Sequence, residues 1–250
     1  MDRLRPLSLL TKAPPAEAVA AAGLWSALLD FGFVAILLAG AINAWAPTQD
    51  LPWKPLDLTR PPGLATRAQF GRTADDPDLC RAALVRAGVE FADEPDRTVG
   101  DCSTKNAVRV RDGVTRLSPP APVMTCPVAL AYIGWERHVV QPAAREVLGA
   151  PVTGIEHFGT YACRNVYGRE QGRRSEHAGA NAVDVHTFVL AGGRQVSVQP
   201  HYRLDDPRGG FLRRVRDGAC RWFRATLGPE YNAAHRDHFH LDRGPYRLCR

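Results

Sequence analysis

The sequence predicts an α+β fold built on an antiparallel sheet, placed behind one apolar N-terminal helix. Three observations predict it. Segments of helical and of strand periodicity are mixed between residues 76 and 241, and the strands connect in antiparallel fashion wherever a turn can be read, as at Gly192-Gly193. Six cysteines, Cys80, Cys102, Cys126, Cys163, Cys220 and Cys249, contain no CxxC pair; they argue against a zinc ribbon or a thioredoxin-like motif and read as the disulfides of an exported domain. An apolar run from Ala18 to Ala46 precedes a proline-rich stretch ending near Gly63.

At 250 residues and 45% apolar side chains, the chain has room for one packed domain plus appendages, and wholesale disorder is disfavoured. The 32 Lys and Arg against 26 Asp and Glu leave a net charge of +6. A basic surface suits an anionic polymer, nucleic acid or cell wall. No nucleic-acid motif accompanies the charge, and wall fits an exported domain better. Sequential bridges, Cys80–Cys102, Cys126–Cys163 and Cys220–Cys249, are expected because each closes a short loop.

Residues 1–17 are polar and carry Arg3, Arg5 and Lys12, which favours a cytoplasmic N-terminal tail. Residues 18–46 form the membrane segment. Its charge-free part after Asp30 is about 16 residues, short of the roughly 20 that span a bilayer, so the span takes in residues before Asp30. A cleaved signal peptide is the rival, because Ala44-Trp45-Ala46 has a small-x-small pattern. The charged leader is long for one, so an uncleaved single-pass anchor in the inner membrane is expected, with the domain in the periplasm. Residues 47–66, with Pro47, Pro52, Pro55, Pro61 and Pro62, should be an extended spacer. The globular domain should then occupy 67–250.

Within that domain, Leu79, Ala82, Leu84 and Val85 have helical spacing over 76–90, ending at Gly88. Val108 to Arg111 alternates as a strand stopped by Asp112-Gly113. Thr125-Cys126-Pro127 opens a helix with proline at its first position; it should yield at Pro142 and give way to a second helix ending at Gly149. Val152 to Phe158 is strand-like, and an Arg- and Gly-rich loop over 169–174 follows. Ala182 to Leu190 and Gln195 to Gln199 flank Gly192-Gly193 as a hairpin. Phe211, Leu212, Val215, Trp222 and Phe223 mark an amphipathic helix ending at Gly228-Pro229, before a last strand at Phe239 to Leu241. Tyr161 and Trp222 read as core.

The chemistry gathers in two stretches, Ser175 to Asp184 and Asp237 to His240. His177 and Asp184 lie seven positions apart, and His240 arrives on a His-x-His about fifty residues later. Three protein ligands plus an open position are the arrangement of a catalytic zinc site, and the ion lowers the pKa of a water to about 7. Period-two alternation puts His238 on the same strand face as His240. Asp237, the acid left over, sits where the strand begins and its direction is open; it can move a proton at the ion or orient the imidazole of a ligand. Arg164 offers a planar two-pronged donor for a carboxylate or a developing oxyanion. His186, two residues past Asp184, could back the site, whereas His138, His157, His201 and His235 read as ordinary histidines.

These residues resemble the signature of the LAS zinc peptidases, the group of lysostaphin, D-alanyl-D-alanine peptidases and hedgehog-type domains. In one branch S-x-H-x-x-G-x-A-x-D is followed by an acid-x-x-His. More closely, Cys80 to Cys249 looks like the bacterial extensin-like C-terminal family, through Cys126-Pro127, Ile155 to Arg164, Ser175-Glu176-His177 and Asp237 to Asp242. The resemblance implies a zinc site on an antiparallel sheet flanked by helices, and a peptidoglycan substrate. It implies His177, Asp184 and His240 as zinc ligands, Asp237 as general base and His238 as a stabiliser of the tetrahedral intermediate. Arg164 and Ser175 would hold the substrate. One departure stands out: the family glycine falls on Ala180, with Gly179 one place early. If that position needs a positive φ, a methyl there costs on the order of 1 kcal/mol.

The expected function is therefore a membrane-tethered periplasmic zinc peptidase acting on peptidoglycan stem peptides or crosslinks. The alternatives are a non-catalytic envelope protein that binds wall or a partner, motivated by Ala180, and a zinc hydrolase of another amide or ester.

Overall fold

The computed structural model describes residues 16–250, so the tail expected to be cytoplasmic lies almost wholly outside the described residues. The chain divides into two units, one ending at Pro47 and one running from Thr48 to Arg250. The first holds α1 (Ala16–Trp45), 30 residues or about 45 Å long at a rise of about 1.5 Å per residue. Its window Leu28–Trp45 is apolar enough to cross a membrane, with Phe31, Ile36 and Leu37 exposed. A membrane anchor and a signal sequence both have this form.

The second unit opens with a segment that is not the expected spacer. Leu56 and Leu58 belong to the hydrophobic core, and Leu51 is buried. Their backbone is held by the domain: Gln69 Nε2 donates to the Thr48 and Leu51 carbonyls, and Arg86 to that of Leu56. The stretch is broken into turns, beginning with a 3₁₀ turn at Thr48–Asp50, and leucines between its prolines supply the burial that docks it.

Then come α2 (Thr66–Ala74) and α3 (Pro77–Arg86). Asp76 caps α3 by accepting from the Asp78 and Leu79 amides, with Pro77 at the first turn. The strands β1 (Glu90–Glu94), β2 (Arg97–Val99), β3 (Cys102–Thr104), β4 (Ala107–Asp112), β5 (Arg116–Ser118) and β6 (Val123–Thr125) follow. β1, β4 and β6 make a three-stranded antiparallel sheet, and β2 with β3 a hairpin.

Next, α4 (Cys126–Trp135) passes through a π turn at Glu136–Val140 into α5 (Gln141–Leu148). Pro142 cannot donate to the carbonyl of His138, so the helix widens there instead of breaking. Gly149, at φ 71°, ends α5 as expected. α4 is buried along nearly its whole length, and Gly134 faces the Trp222 ring so closely that no Cβ fits.

β7 (Val152–His157), β8 (Ala182–Leu190), β9 (Gln195–Ser197), the short α6 (Val198–His201) and α7 (Pro207–Ala219) lead to β10 (Ala225–Leu227), β11 (Phe239–Asp242) and β12 (Leu248–Cys249). The main sheet has the order β12-β10-β11-β8-β7-β5, with β9 also on β8. It is antiparallel except for the β5–β7 and β10–β12 pairs, which are parallel. α7 stops at Ala219, short of the expected Gly228-Pro229. Trp222 and Phe223 reach the core from the turn that follows, and residues 225–227 are strand. Tyr161, expected in the core, is 45% exposed.

The core lies between the helices and one sheet face, around Trp135. Its indole donates to the Val215 carbonyl at 2.8 Å, and its ring meets Phe188 and Phe223 edge-on. Of the expected disulfides, Cys220–Cys249 is present. The other four cysteines pair as Cys80–Cys126 and Cys102–Cys163, not sequentially. The first bridge joins α3 to the start of α4; the second ties β3 to the loop after β7. These separations, 46 and 61 residues, reflect tertiary neighbours, which short-loop reasoning does not reach.

Candidate metal centre

β8 brings the site together by changing which of its faces meets the core. Val183 and Val185 are core residues early in the strand, and Phe188 and Leu190 later. The parity switches because the β7–β8 register slips at Glu156/His157, leaving an extra residue, His186, on β8. Such a bulge re-aims side chains. Asp184 therefore faces a cleft of about 920 Å³, while Phe188, four residues on, faces the core. On the neighbouring strand, Phe239 and Leu241 are core and His240 and Asp242 face the cleft. His240 and Asp184 are direct cross-strand partners.

His177 arrives on a 3₁₀ turn, Glu176–Gly179, whose N-cap Ser175 accepts from the His177 amide through Oγ at 3.4 Å. Asn181 locks the turn: its amide donates to Glu176, and its carbonyl oxygen accepts from Thr125. The turn ends at Ala180 in the left-handed region, φ 55°. This is the conformation a glycine adopts freely, so the departure at Ala180 changes the residue and leaves the shape. Ala180→Gly is expected to shift stability by less than about 1 kcal/mol. Relief of about 1–2 kcal/mol is offset by greater freedom of the unfolded chain, about 0.4–1, and by loss of a buried methyl, about 0.8. Denaturant unfolding checks this, and metal content should be unchanged.

His177 Nε2, Asp184 Oδ1 and His240 Nδ1 converge, with separations of 3.1, 2.9 and 3.1 Å. His177 Nδ1 faces the Thr160 carbonyl at 3.3 Å, and His240 Nε2 faces Asp242 Oδ2 at 3.0 Å. Each outer nitrogen is placed to keep a proton, so a cation that displaced the protons shared with Asp184 would meet a lone pair on each inner nitrogen. Three electron-pair donors facing one point fit a cation. A tetrahedral zinc with bonds of about 2.0–2.1 Å spaces its ligands about 3.3 Å apart, close to these separations. Two imidazoles and a carboxylate are a donor set zinc accepts.

Electrostatics agree with a site built for positive charge. Burial favours the neutral acid at Asp184, but hydrogen bonds from His177 and His240 overcome it and hold the carboxyl far below its usual range. Burial likewise opposes a charged His240, yet its bonds to Asp184 and Asp242 lift it to about 9. At His235 burial, reinforced by His240 and His238, pushes the imidazole down to about 4.

His238 lines the same cleft, its Nε2 3.6 Å from Asp184 Oδ1 and its Nδ1 2.9 Å from Asp237 Oδ1. Burial raises and the His238 contact lowers Asp237, which ends below the usual carboxylate range. Asp237 is turned onto His238 and does not line the cleft. Arg164 and Ser175 both do, joined by a bond from the Ser175 amide to the Arg164 carbonyl. The Arg164 guanidinium has no carboxylate partner among the described residues. His186 stacks on Phe158 at the edge of the site and does not reach the donors.

The match to the extensin-like protein C-terminus model covers residues 78–250. The chain belongs to the extensin-like C-terminal family. The matched region contains all seven residues singled out from the sequence. No curated protein and no solved structure matches the chain.

Sequence reasoning missed Asp242 and His235 in this extensin-like domain. Asp242 had a legible signal, lying two residues after His240 and so on the same strand face. His235 had none, because a 3₁₀ turn, Ala233–His235, folds it back to within 5.3 Å of His238 and 5.8 Å of His240, ring to ring. His138, His157 and His201 are ordinary in the expected sense, each bonded to a backbone carbonyl.

Proposed function

We propose that this extensin-like protein is a zinc-dependent peptidase that hydrolyses peptide bonds of peptidoglycan stem peptides or crosslinks, tethered by α1 to the inner membrane with its domain in the periplasm. The observation that supports it is the trio of convergent donor atoms at an open cleft, each imidazole oriented from behind by Thr160 or Asp242. A zinc ion held by His177 Nε2, Asp184 Oδ1 and His240 Nδ1 supplies Lewis acidity toward a carbonyl and makes a water acidic enough to ionise near neutrality.

The protein's own groups do the rest. Asp237 accepts from His238 Nδ1–H, which leaves His238 Nε2 as a lone pair beside the donors. His238 takes the proton of the attacking water and returns it to the leaving amine, and Asp237 stabilises the imidazolium that forms. Asp237, expected from the resemblance to be the base itself, acts here through its neighbour. Arg164 at the cleft wall holds a substrate carboxylate or carbonyl. Ser175 Oγ, already an acceptor for the His177 amide, keeps its proton to donate. The left-handed Ala180 leaves His177 in place, so the departure that motivated a non-catalytic reading gives it no support.

The test uses full-length protein in detergent and purified sacculi, with and without chelator. Chelator-sensitive release of muropeptides is expected, reduced roughly 10²–10⁴-fold in His238→Ala, with zinc content retained. Bound zinc without release would convert the reading to a wall-binding protein. Absence of zinc would sink the donor assignment.

A further inference from the structure

Tyr167 sits on the wall of the same cleft with φ 59°, a left-handed conformation that a bulky side chain adopts only when its surroundings hold it there. They do. Asn165 Nδ2 donates to the carbonyls of Arg169 and Glu170 at 2.9 and 3.0 Å, and the Gly168 amide returns to Asn165. The turn leading into the Arg- and Gly-rich loop is thus held around one tyrosine.

The phenol is then fixed from a second element. Asn232 Oδ1 accepts from the Ala234 amide at 3.0 Å and from His235 Nδ1 at 2.7 Å, while its Nδ2 donates to the Tyr167 oxygen at 2.8 Å. The amide orientation is set by the backbone donor, and two consequences follow. The Tyr167 oxygen accepts from Asn232 Nδ2 and is also hydrogen-bonded to Tyr231, whose phenol desolvation and that bond help keep protonated, so Tyr231 is the donor of the pair and the Tyr167 proton points elsewhere. The His235 proton is on Nδ1, so Nε2 carries the lone pair; it has no protein partner among the described residues, and the ring lines the cleft. Capping the Ala233–His235 turn explains Asn232 Oδ1 but not the left-handed tyrosine held against Nδ2.

We infer that Tyr167, Asn232 and His235 form a peptide-binding subsite beside the metal centre, with the Tyr167 hydroxyl donating to a substrate carbonyl and His235 Nε2 accepting from a substrate N–H. One donor and one acceptor match a peptide unit. A carboxylate, which only accepts, would meet the His235 lone pair unfavourably. The subsite rests on the reading of the substrate as a peptide and adds where that peptide lies.

The experiment uses zinc-loaded full-length protein in detergent, with purified disaccharide-pentapeptide as probe. Calorimetry gives Kd, and release from sacculi gives KM and kcat. Tyr167→Phe should raise Kd and KM roughly three- to tenfold, the loss appearing in KM rather than kcat, with zinc content and melting temperature unchanged. Asn232→Asp keeps both contacts of Oδ1 but replaces the donor to Tyr167 with an acceptor that draws the phenol proton away. It should weaken binding as much, and the double variant no further. Unchanged Kd in Tyr167→Phe overturns the subsite, as does a loss confined to melting temperature and zinc content, or a wild type that binds no probe. If wild type binds the probe, releases nothing, and Tyr167→Phe still weakens binding, the subsite stands and the peptidase reading falls.

Discussion

Asp184→Ala is expected to strip the protein of zinc and to abolish peptidase turnover, the largest functional effect of any single substitution. Asp184 is the one formally charged donor, its Oδ1 3.1 Å from His177 Nε2 and 2.9 Å from His240 Nδ1. Without it, two lone pairs face each other at 3.1 Å with nothing to neutralise a dication. Metal content after dialysis should fall from one equivalent to near zero, and muropeptide release by at least about 10³-fold, as when a catalytic group acting with others is lost. Asp242→Asn is the graded counterpart. Asp242 accepts through both oxygens, from His240 Nε2–H and from the Gly244 amide, so the amide variant keeps one of these bonds at most and no longer enhances the basicity of the imidazole; zinc affinity should drop roughly 10–100-fold. Competition against a chromophoric chelator separates the two variants. Zinc retained at full stoichiometry in Asp184→Ala would mean the ion binds elsewhere.

Much of this candidate centre was legible because two of its three donors sit on regular strands. Asp184 and His240 lie on strands whose alternation could be read, and their cross-strand pairing follows once β8 and β11 are neighbours. The bulge at His186 was not legible. It depends on the β7–β8 register, and it explains why Asp184 and Phe188, on the same parity, face opposite ways. Asp237 next to His238 fits both a base and an orienting acid in sequence; the 2.9 Å contact with His238 Nδ1 favours the second. The stretch from Pro47 read as a spacer because prolines dominate its local preferences. Burial of Leu56 and Leu58 is a tertiary effect that no window of residues reports. Trp222 and Phe223 continue the apolar spacing of α7, so the helix appeared to extend through them, although they reach the core from a turn.

The two misassigned disulfides allow the sharpest stability test, because they lie in different places. In the chain-entropy account, bridges closing loops of 46 and 61 residues each stabilise by about 4 kcal/mol. Cys80 and Cys126 are fully buried between α3 and α4. Replacing both with alanine removes the cross-link and leaves voids, so it should lower the melting temperature without altering zinc affinity in the protein that remains folded. Cys102–Cys163 instead anchors the segment leading to Arg164 onto β3, and the Ser103 carbonyl of β3 lies 3.4 Å from where a Cβ on Gly179 would stand. The 3₁₀ turn carrying His177 rests on that strand. Cys102→Ala/Cys163→Ala should therefore cost comparable stability and also weaken zinc binding, because the turn loses its support. Thermal unfolding and chelator competition on both double variants decide it. Equal zinc affinity in the two would show that the turn is held by its own hydrogen bonds, through Ser175 and Asn181, and not by the bridge.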